Sequence, residues 1–235
     1  MKELRRFRFE LGDGEHVVGD ELPGDDPTIV FLHGLGSIRS GEKSNSLLEH
    51  ARRGNRRFLR FDLRGHGESS GRLGAITLSE SIADVVQVLE QRARRAWLVG
   101  SSLGGLIATH AAVRRPDLVE RLCLLAPAFG LLPNLAGRLD ARGRMWTNEG
   151  HGFFVEPKVL DDARKLDEEA LPLAVRMPVL VVHGTDDEVV PSVVSKRFVA
   201  RVPHPQKALW LIPGGDHRLN AFANQIWPRL DALAS

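Results

Sequence analysis

The chain has 235 residues, 43% of them hydrophobic and 26% charged, the composition of an ordinary soluble globular protein. Its 32 basic residues are dispersed among 30 acidic ones rather than run together, so nucleic-acid binding is not expected. A single cysteine, Cys123, excludes an intrachain disulfide and a Cys-based zinc site, and no apolar run reaches the length of a membrane helix.

At the N-terminus Phe7, Phe9 and Leu11 alternate with Arg6, Arg8 and Glu10, the period of a half-exposed strand. No apolar h-region follows Arg5, Arg6 and Arg8, so a cytosolic protein is expected. A second short strand is placed near residues 16–22. Residues 28–32 form a continuous apolar run that ends at His33-Gly34, and residues 58–62 form another, ending at Arg64-Gly65-His66-Gly67. Leu47, Leu48 and Ala51 mark a helix between them.

Thr77 and Glu80 spell a capping box, and Ile82, Val85, Val86 and Leu89 give the helix that follows one buried stripe. The strand beginning at Trp97 breaks into G-x-S-x-G at Gly100, Ser102 and Gly104. A helix to Arg115-Pro116 follows at once. The next strand covers 121–125 and holds Cys123 as a buried thiol. Strands at 179–182 and 208–212 flank a helix at 193–202. A last helix carries Leu219, Phe222, Ala223 and Ile226 on one face, with Pro228 expected to kink or end it.

Apolar strands alternating with amphipathic helices specify a mostly parallel, twisted sheet with helices on both faces. Right-handed crossovers then put the C-terminal ends of the strands on one rim, where ligands of such sheets bind. The stretch 127–178 departs from the alternation, mixing Leu131, Leu132, Met145, Trp146, Phe153 and Phe154 with a charged run at 161–165. It is read as a small lid inserted after the sixth strand of a single domain spanning 1–235.

A serine squeezed between strand and helix sits on a sharp turn that lifts its hydroxyl clear of the sheet. The glycines at 100 and 104 are a steric requirement of that turn. Ser102 is centred between them; Ser101 fits the pattern only with a glycine at 99, which is valine. A serine hydroxyl needs a base, and in this topology acid and histidine follow the serine in the chain. His110 lies on the following helix, His151 in the lid, His183 at a strand end and His204 between prolines. His217, after the loop Pro213-Gly214-Gly215-Asp216, is the base expected at the rim. The loop after His183 offers Asp186, Asp187 and Glu188 as its acid partner, and spacing does not choose among them. Asp216 is read as a turn residue. Backbone amides of Leu103 and Leu35 are the expected oxyanion donors. Gly34, Trp146 and Phe153 are candidates for the substrate-binding surface. No metal-ligand pattern or cofactor motif is expected.

HGLG at 33–36, FDLRGHGES at 61–69, VGSSLGG at 99–105, HGTDDEVVP at 183–191 and GGDHRL at 214–219 resemble the α/β-hydrolase superfamily over nearly the whole length. More narrowly, the chain looks like the compact serine esterases and thioesterases related to abhydrolase-domain-containing protein 10, which act on acyl glucuronides and palmitoyl thioesters. The resemblance implies an α/β-hydrolase fold and assigns the acid to Asp187, the third residue after the loop glycine, with Asp186 as the alternative. It makes Arg64 a scaffold residue. The expectation is a cofactor-free carboxylic ester hydrolase acting through acyl-Ser102 on short-to-medium acyl esters. Thioesterase or acyl-glucuronide esterase action is the alternative with the same residues; a non-catalytic binding fold is the alternative of another class. The partner is a small acyl ester, without nucleic acid or membrane insertion.

Overall fold

A computed structural model describes residues 2–147 and 150–233. Its frame is an eight-stranded sheet in the order β1-β2-β4-β3-β5-β6-β9-β10. The strands are β1 (Arg5–Glu10), β2 (His16–Leu22), β3 (Asp25–Leu32), β4 (Arg56–Phe61), β5 (Ala96–Ser101), β6 (Val119–Leu125), β9 (Val179–Gly184) and β10 (Lys207–Ile212). The β1–β2 and β2–β4 pairs are antiparallel and every other pair is parallel.

Alternate residues of each central strand feed two separate cores, which is why these strands read as unbroken apolar runs. Val30, Leu32 and Leu98 join the core that includes Ile82, Leu89, Leu106 and Phe198. These come from α2 (Leu78–Arg92), α3 (Leu103–Arg114) and α5 (Val193–Arg201). Ile29, Phe31 and Trp97 join the opposite core with residues of α1 (Glu42–Arg53) and α6 (Ala223–Ala232). Helix α2 starts at the expected capping box: Glu80 N–H donates to Thr77 Oγ1 at 3.1 Å, and Thr77 N–H to Glu80 Oε2 at 2.7 Å. Cys123 is buried in β6, and burial pushes its thiol up to about 12, so it is an inert packing residue.

Arg64 is held as a scaffold residue. Its guanidinium makes a bidentate pair with the buried Asp84 of α2, at 2.6 and 2.7 Å, and a further bond to Asp13. This ties the loop after β4 to a helix. Pro228 does not end the C-terminal helix, because α6 continues past it to Ala232. Ile226, Trp227 and Leu230 are all fully buried, and this anchoring on both sides of the proline outweighs the lost backbone bond.

Between β6 and β9, residues 127–178 carry a two-stranded hairpin, β7 (Arg144–Trp146) and β8 (Gly152–Phe154), and α4 (Pro157–Ala163). Its second half is fastened to the 72–80 segment. Glu156 N–H donates to Gly74 O at 2.8 Å, Ser79 N–H to Asp162 Oδ2 at 2.9 Å, and Arg72 pairs with Glu156. Gly74 has φ of +85°, and a Cβ there would meet the Phe154 carbonyl at 1.9 Å, so only glycine lets the two segments close. Among the described residues no helix is long and apolar enough to cross a membrane.

Candidate active site

Strand β5 lies in the middle of the sheet, and the chain turns from it into α3 through Ser102. Ser102 has φ 53° and ψ −118°, a strained backbone for a residue with a side chain. The turn is over-determined around it. Ser102 N–H donates to Leu125 O at 2.9 Å, and Ser102 O accepts from Gly105 N–H and Ala128 N–H. A Cβ on Gly100 would stand 2.3 Å from Gly104 O, and one on Gly104 would stand 2.4 Å from the carbonyls of Leu32 and His33. The two glycines therefore let strand, helix and the end of β3 meet.

His217 lies on the loop between β10 and a short 3-10 turn at Asn220–Phe222, ahead of α6. Its Nε2 is 3.0 Å from Ser102 Oγ, and its Nδ1 is 2.7 Å from Asp187 Oδ2. An ionised carboxylate can only accept, so Nδ1 carries the proton and Nε2 presents its lone pair to the serine hydroxyl. Such a chain can take the hydroxyl proton as the oxygen attacks a carbonyl.

The structure also distinguishes the three carboxylates after β9. Asp186 is exposed and bonds Thr185 Oγ1, and Glu188 is exposed; Asp187 is buried against His217. Burial works against the Asp187 charge, but bonds from His183, His217 and the Val190 amide outweigh it and hold the carboxyl well below the usual range. Asp216 bonds Leu219 N–H, as a turn residue does. His110 is buried on α3, away from Ser102.

One contact was not legible in the sequence. His183 Nε2 lies 3.0 Å from Asp187 Oδ2 and 2.9 Å from Val190 O, while its Nδ1 lies 2.7 Å from Ser195 Oγ. Two acceptors face Nε2, so that nitrogen holds the proton and the Ser195 hydroxyl donates to Nδ1. The available signal was only a histidine four residues before the acid.

Leu103 opens α3, and the first amides of a helix have no carbonyl one turn back to bond. Leu35 follows Gly34 in a turn closed by Ser37 N–H donating to Gly34 O at 3.2 Å, which leaves the Leu35 amide outside the turn's own bond. Gly34 packs on the serine: a Cβ there would lie 3.2 Å from Ser102 Cβ.

Two cavities lie beside these residues and share Leu35 in their linings. The first, of about 240 Å3, is lined by Ser102, His217, Gly34 and Leu35 and by the polar side chains of Lys43 and Arg218. Lys43 Nζ donates to Arg218 O at 2.5 Å, and burial pushes its ammonium down to about 8 against the pull of Asp216. The second, of about 80 Å3, is mainly apolar and is lined by Leu35, Leu103, Ile107, Leu135, Met145 and Phe153. Phe153 lines the second cavity, but Trp146 lines neither. The period-2 alternation of the hairpin explains this correction: Met145 and Phe153 are paired across it and face inward. Trp146, opposite Gly152, is 50% exposed beneath the Arg144 guanidinium. Met145 is the lining residue the sequence reading passed over. Among the described residues no group of three His, Cys, Asp or Glu side chains is placed to hold a metal ion.

Comparison with known proteins places this geometry in a family. Residues 29–225 match the model of the alpha/beta hydrolase family. The chain is 32% identical over 218 residues to the mitochondrial palmitoyl-protein thioesterase ABHD10 of Mus musculus, covering 86% of this chain and 73% of the relative. The solved structure of alpha/beta hydrolase domain-containing protein 10 from mouse superposes with a TM-score of 0.86 at 29% identity, covering 97% of this chain and 98% of that one. The ferulic-acid-bound Est1E of Butyrivibrio proteoclasticus shares the fold, with a TM-score of 0.79 at 21% identity over 94% and 97% of the two chains. The chain belongs to the alpha/beta hydrolase family.

Proposed function

We propose that this protein is a serine hydrolase that cleaves carboxylic esters of short-to-medium acyl chains through an acyl-Ser102 intermediate. The observation that carries the reading is the unbroken chain from Ser102 Oγ through His217 to the buried Asp187, at 3.0 and 2.7 Å, on a strained turn. Ser102 Oγ attacks the acyl carbonyl while His217 Nε2 takes its proton. The oxyanion is received by the Leu35 and Leu103 amides. His217 then protonates the leaving group, and the acyl-serine is hydrolysed by a water that His217 deprotonates in turn. Asp187 orients the ring and stabilises its charged form.

The two cavities divide the substrate. Leu35 and Leu103 border the apolar one, so an acyl chain whose carbonyl oxygen meets their amides runs beneath the 127–178 segment, which acts as a lid. The volume of about 80 Å3 favours short-to-medium chains over a C16 chain. The other side, with Lys43 and Arg218, receives the alcohol or thiol. That polar lining favours a polar leaving group, which keeps a thioester or an acyl glucuronide as a second reading; the mouse relative is itself named a palmitoyl-protein thioesterase. Measuring kcat/KM on matched butyryl ester, thioester and amide substrates tests the assignment. Turnover of the first two with little amide cleavage is expected. Amide cleavage exceeding both, or no turnover of any, contradicts it.

A further inference from the structure

We propose that His66 is a positioning residue for the oxyanion site: its ring accepts a hydrogen bond from Gly36 N–H and so fixes the peptide that follows Leu35. This rests on the assignment of Ser102 as nucleophile and of the Leu35 amide as oxyanion donor.

The orientation of an N–H is set by the φ and ψ of its residue and by the peptide planes on either side. Both planes flanking Leu35 are held by histidines. The Gly34–Leu35 peptide, which carries the Leu35 N–H, is held through its carbonyl by His33 Nδ1 at 2.8 Å. The Leu35–Gly36 peptide is held through its N–H by His66 Nε2 at 3.1 Å. The rings cross between two loops with centroids 4.9 Å apart, nearly edge to face. His33, from the oxyanion loop, accepts Leu63 N–H at 3.0 Å; His66, from the loop after β4, reaches back to Gly36.

Each ring has one acceptor and one donor partner, which fixes its tautomer. His66 Nδ1 faces Arg64 O at 3.1 Å and must hold the proton, leaving Nε2 as the acceptor that Gly36 needs. The ring must also be neutral, since an imidazolium has no lone pair to offer. Burial lowers the pKa of His66 against the opposing pull of Asp62, which supports the neutral form. The position requires glycine: its φ is +72°, and a Cβ there would meet Thr147 Cγ2 at 2.5 Å. The FDLRGHGES stretch thus acts on the reaction through backbone placement, while Leu63, Arg64 and His66 also line the apolar cavity.

The test compares His66→Leu, which has no acceptor, with His66→Gln, whose amide oxygen reaches the place of Nε2, in the full-length protein. Complete loss of an oxyanion donor costs roughly 100- to 1,000-fold in kcat, so a displaced one is expected to cost about 10- to 100-fold. For H66L, kcat for p-nitrophenyl butyrate falls by that factor with KM within about threefold, and inhibition by butylboronic acid, a tetrahedral mimic, weakens in parallel. H66Q recovers most of both. Equal losses in H66L and H66Q, or a kcat in H66L within twofold of the parent, overturn the proposal. If H66L does not fold, the pair H66Q and H66N decides: Asn is too short to reach Gly36, so equal kcat in the two contradicts the role. Fluorophosphonate labelling of Ser102 in the parent is the separate check. Absence of that adduct fails the nucleophile assignment, whereas labelling with unaltered H66L kinetics fails this inference alone.

Discussion

His183 and His217 share one acceptor: the Asp187 oxygen that holds His217 Nδ1 at 2.7 Å is also 3.0 Å from His183 Nε2. The carboxylate's other oxygen takes the amides of Val189 and Val190 at 2.9 and 2.8 Å. Asp187 is thus held from its own loop and from the strand end, and His217 is the partner it orients. Replacing Asp187 by Asn leaves the size unchanged but presents an amide that favours the wrong tautomer of His217. A loss of about 10,000-fold in kcat is expected. His183→Leu removes only a support of Asp187 and is expected to cost roughly tenfold, within the range for partners one shell removed. Steady-state kinetics on p-nitrophenyl butyrate reads both; a larger loss in H183L than in D187N contradicts the assignment of roles.

Acyl preference follows from the apolar cavity beneath the hairpin. Each methylene buried there adds about 0.8 kcal/mol, close to fourfold in kcat/KM, until the cavity is full. A p-nitrophenyl ester series is expected to peak at short-to-medium length. Met145→Ala, which removes a lining side chain, is expected to move the peak to longer chains. An unchanged peak in that variant, or a parent maximum at C16, overturns the pocket assignment.

The Arg64–Asp84 pair sets a stability prediction. Both side chains are buried, so Asp84→Ala strands a guanidinium whose remaining partner is the half-exposed Asp13. A loss of about 3–5 kcal/mol is expected from urea unfolding, because the desolvation cost stays while the attraction goes. The joint replacement Arg64→Met with Asp84→Leu removes both charges and is expected to recover most of it. A double variant less stable than the single one contradicts this.

Acid stability depends on histidines buried neutral. Burial, more than the nearby Arg114, brings His110 down to about 4, and burial with the neighbouring His66 does the same to His33. An unfolded histidine titrates near 6.5, so between pH 6.5 and 4 the unfolded state binds more protons. These residues contribute fully above pH 6.5, and their contribution is lost as pH falls towards 4. His110 is the cleaner probe, because its Nε2 has no hydrogen-bond partner among the described residues. His110→Leu is expected to flatten the fall in Tm between pH 7 and 4, a gain of roughly 2–3 kcal/mol at the acid end. A Tm profile parallel to that of the parent counts against it.

Much of this architecture was legible from period and punctuation. The runs at 28–32, 58–62 and 97–100 are mainly apolar because each strand packs helices on both faces, and a glycine or histidine lies near where each ends. The rim positions of Leu35, Ser102, Leu103 and His217 follow, since each lies in a segment that comes after a strand of one sheet. What was not legible depends on phase. Asp186 and Asp187 are neighbours, and which one turns inward is set by how the loop bonds Gly215 and Val190. Met145 and Trp146 are likewise neighbours on a three-residue strand, too short for its alternation to show which face is inner. The shared contact of His183 and Asp187 crosses a turn whose conformation no spacing rule gives. That Pro228 does not end its helix was not legible either, because tertiary burial of Trp227 and Leu230 outweighs local propensity.

The most direct test follows the fate of the acyl group at residue 102. With p-nitrophenyl butyrate, the parent protein should release p-nitrophenol and gain the mass of one butyryl group on the peptide carrying Ser102 when quenched during turnover. Ser102→Ala should lose on the order of a million-fold in kcat and carry no adduct, with its fold intact by circular dichroism. Retention of more than a few per cent of turnover by that variant, or an acyl group found on another side chain, contradicts the account.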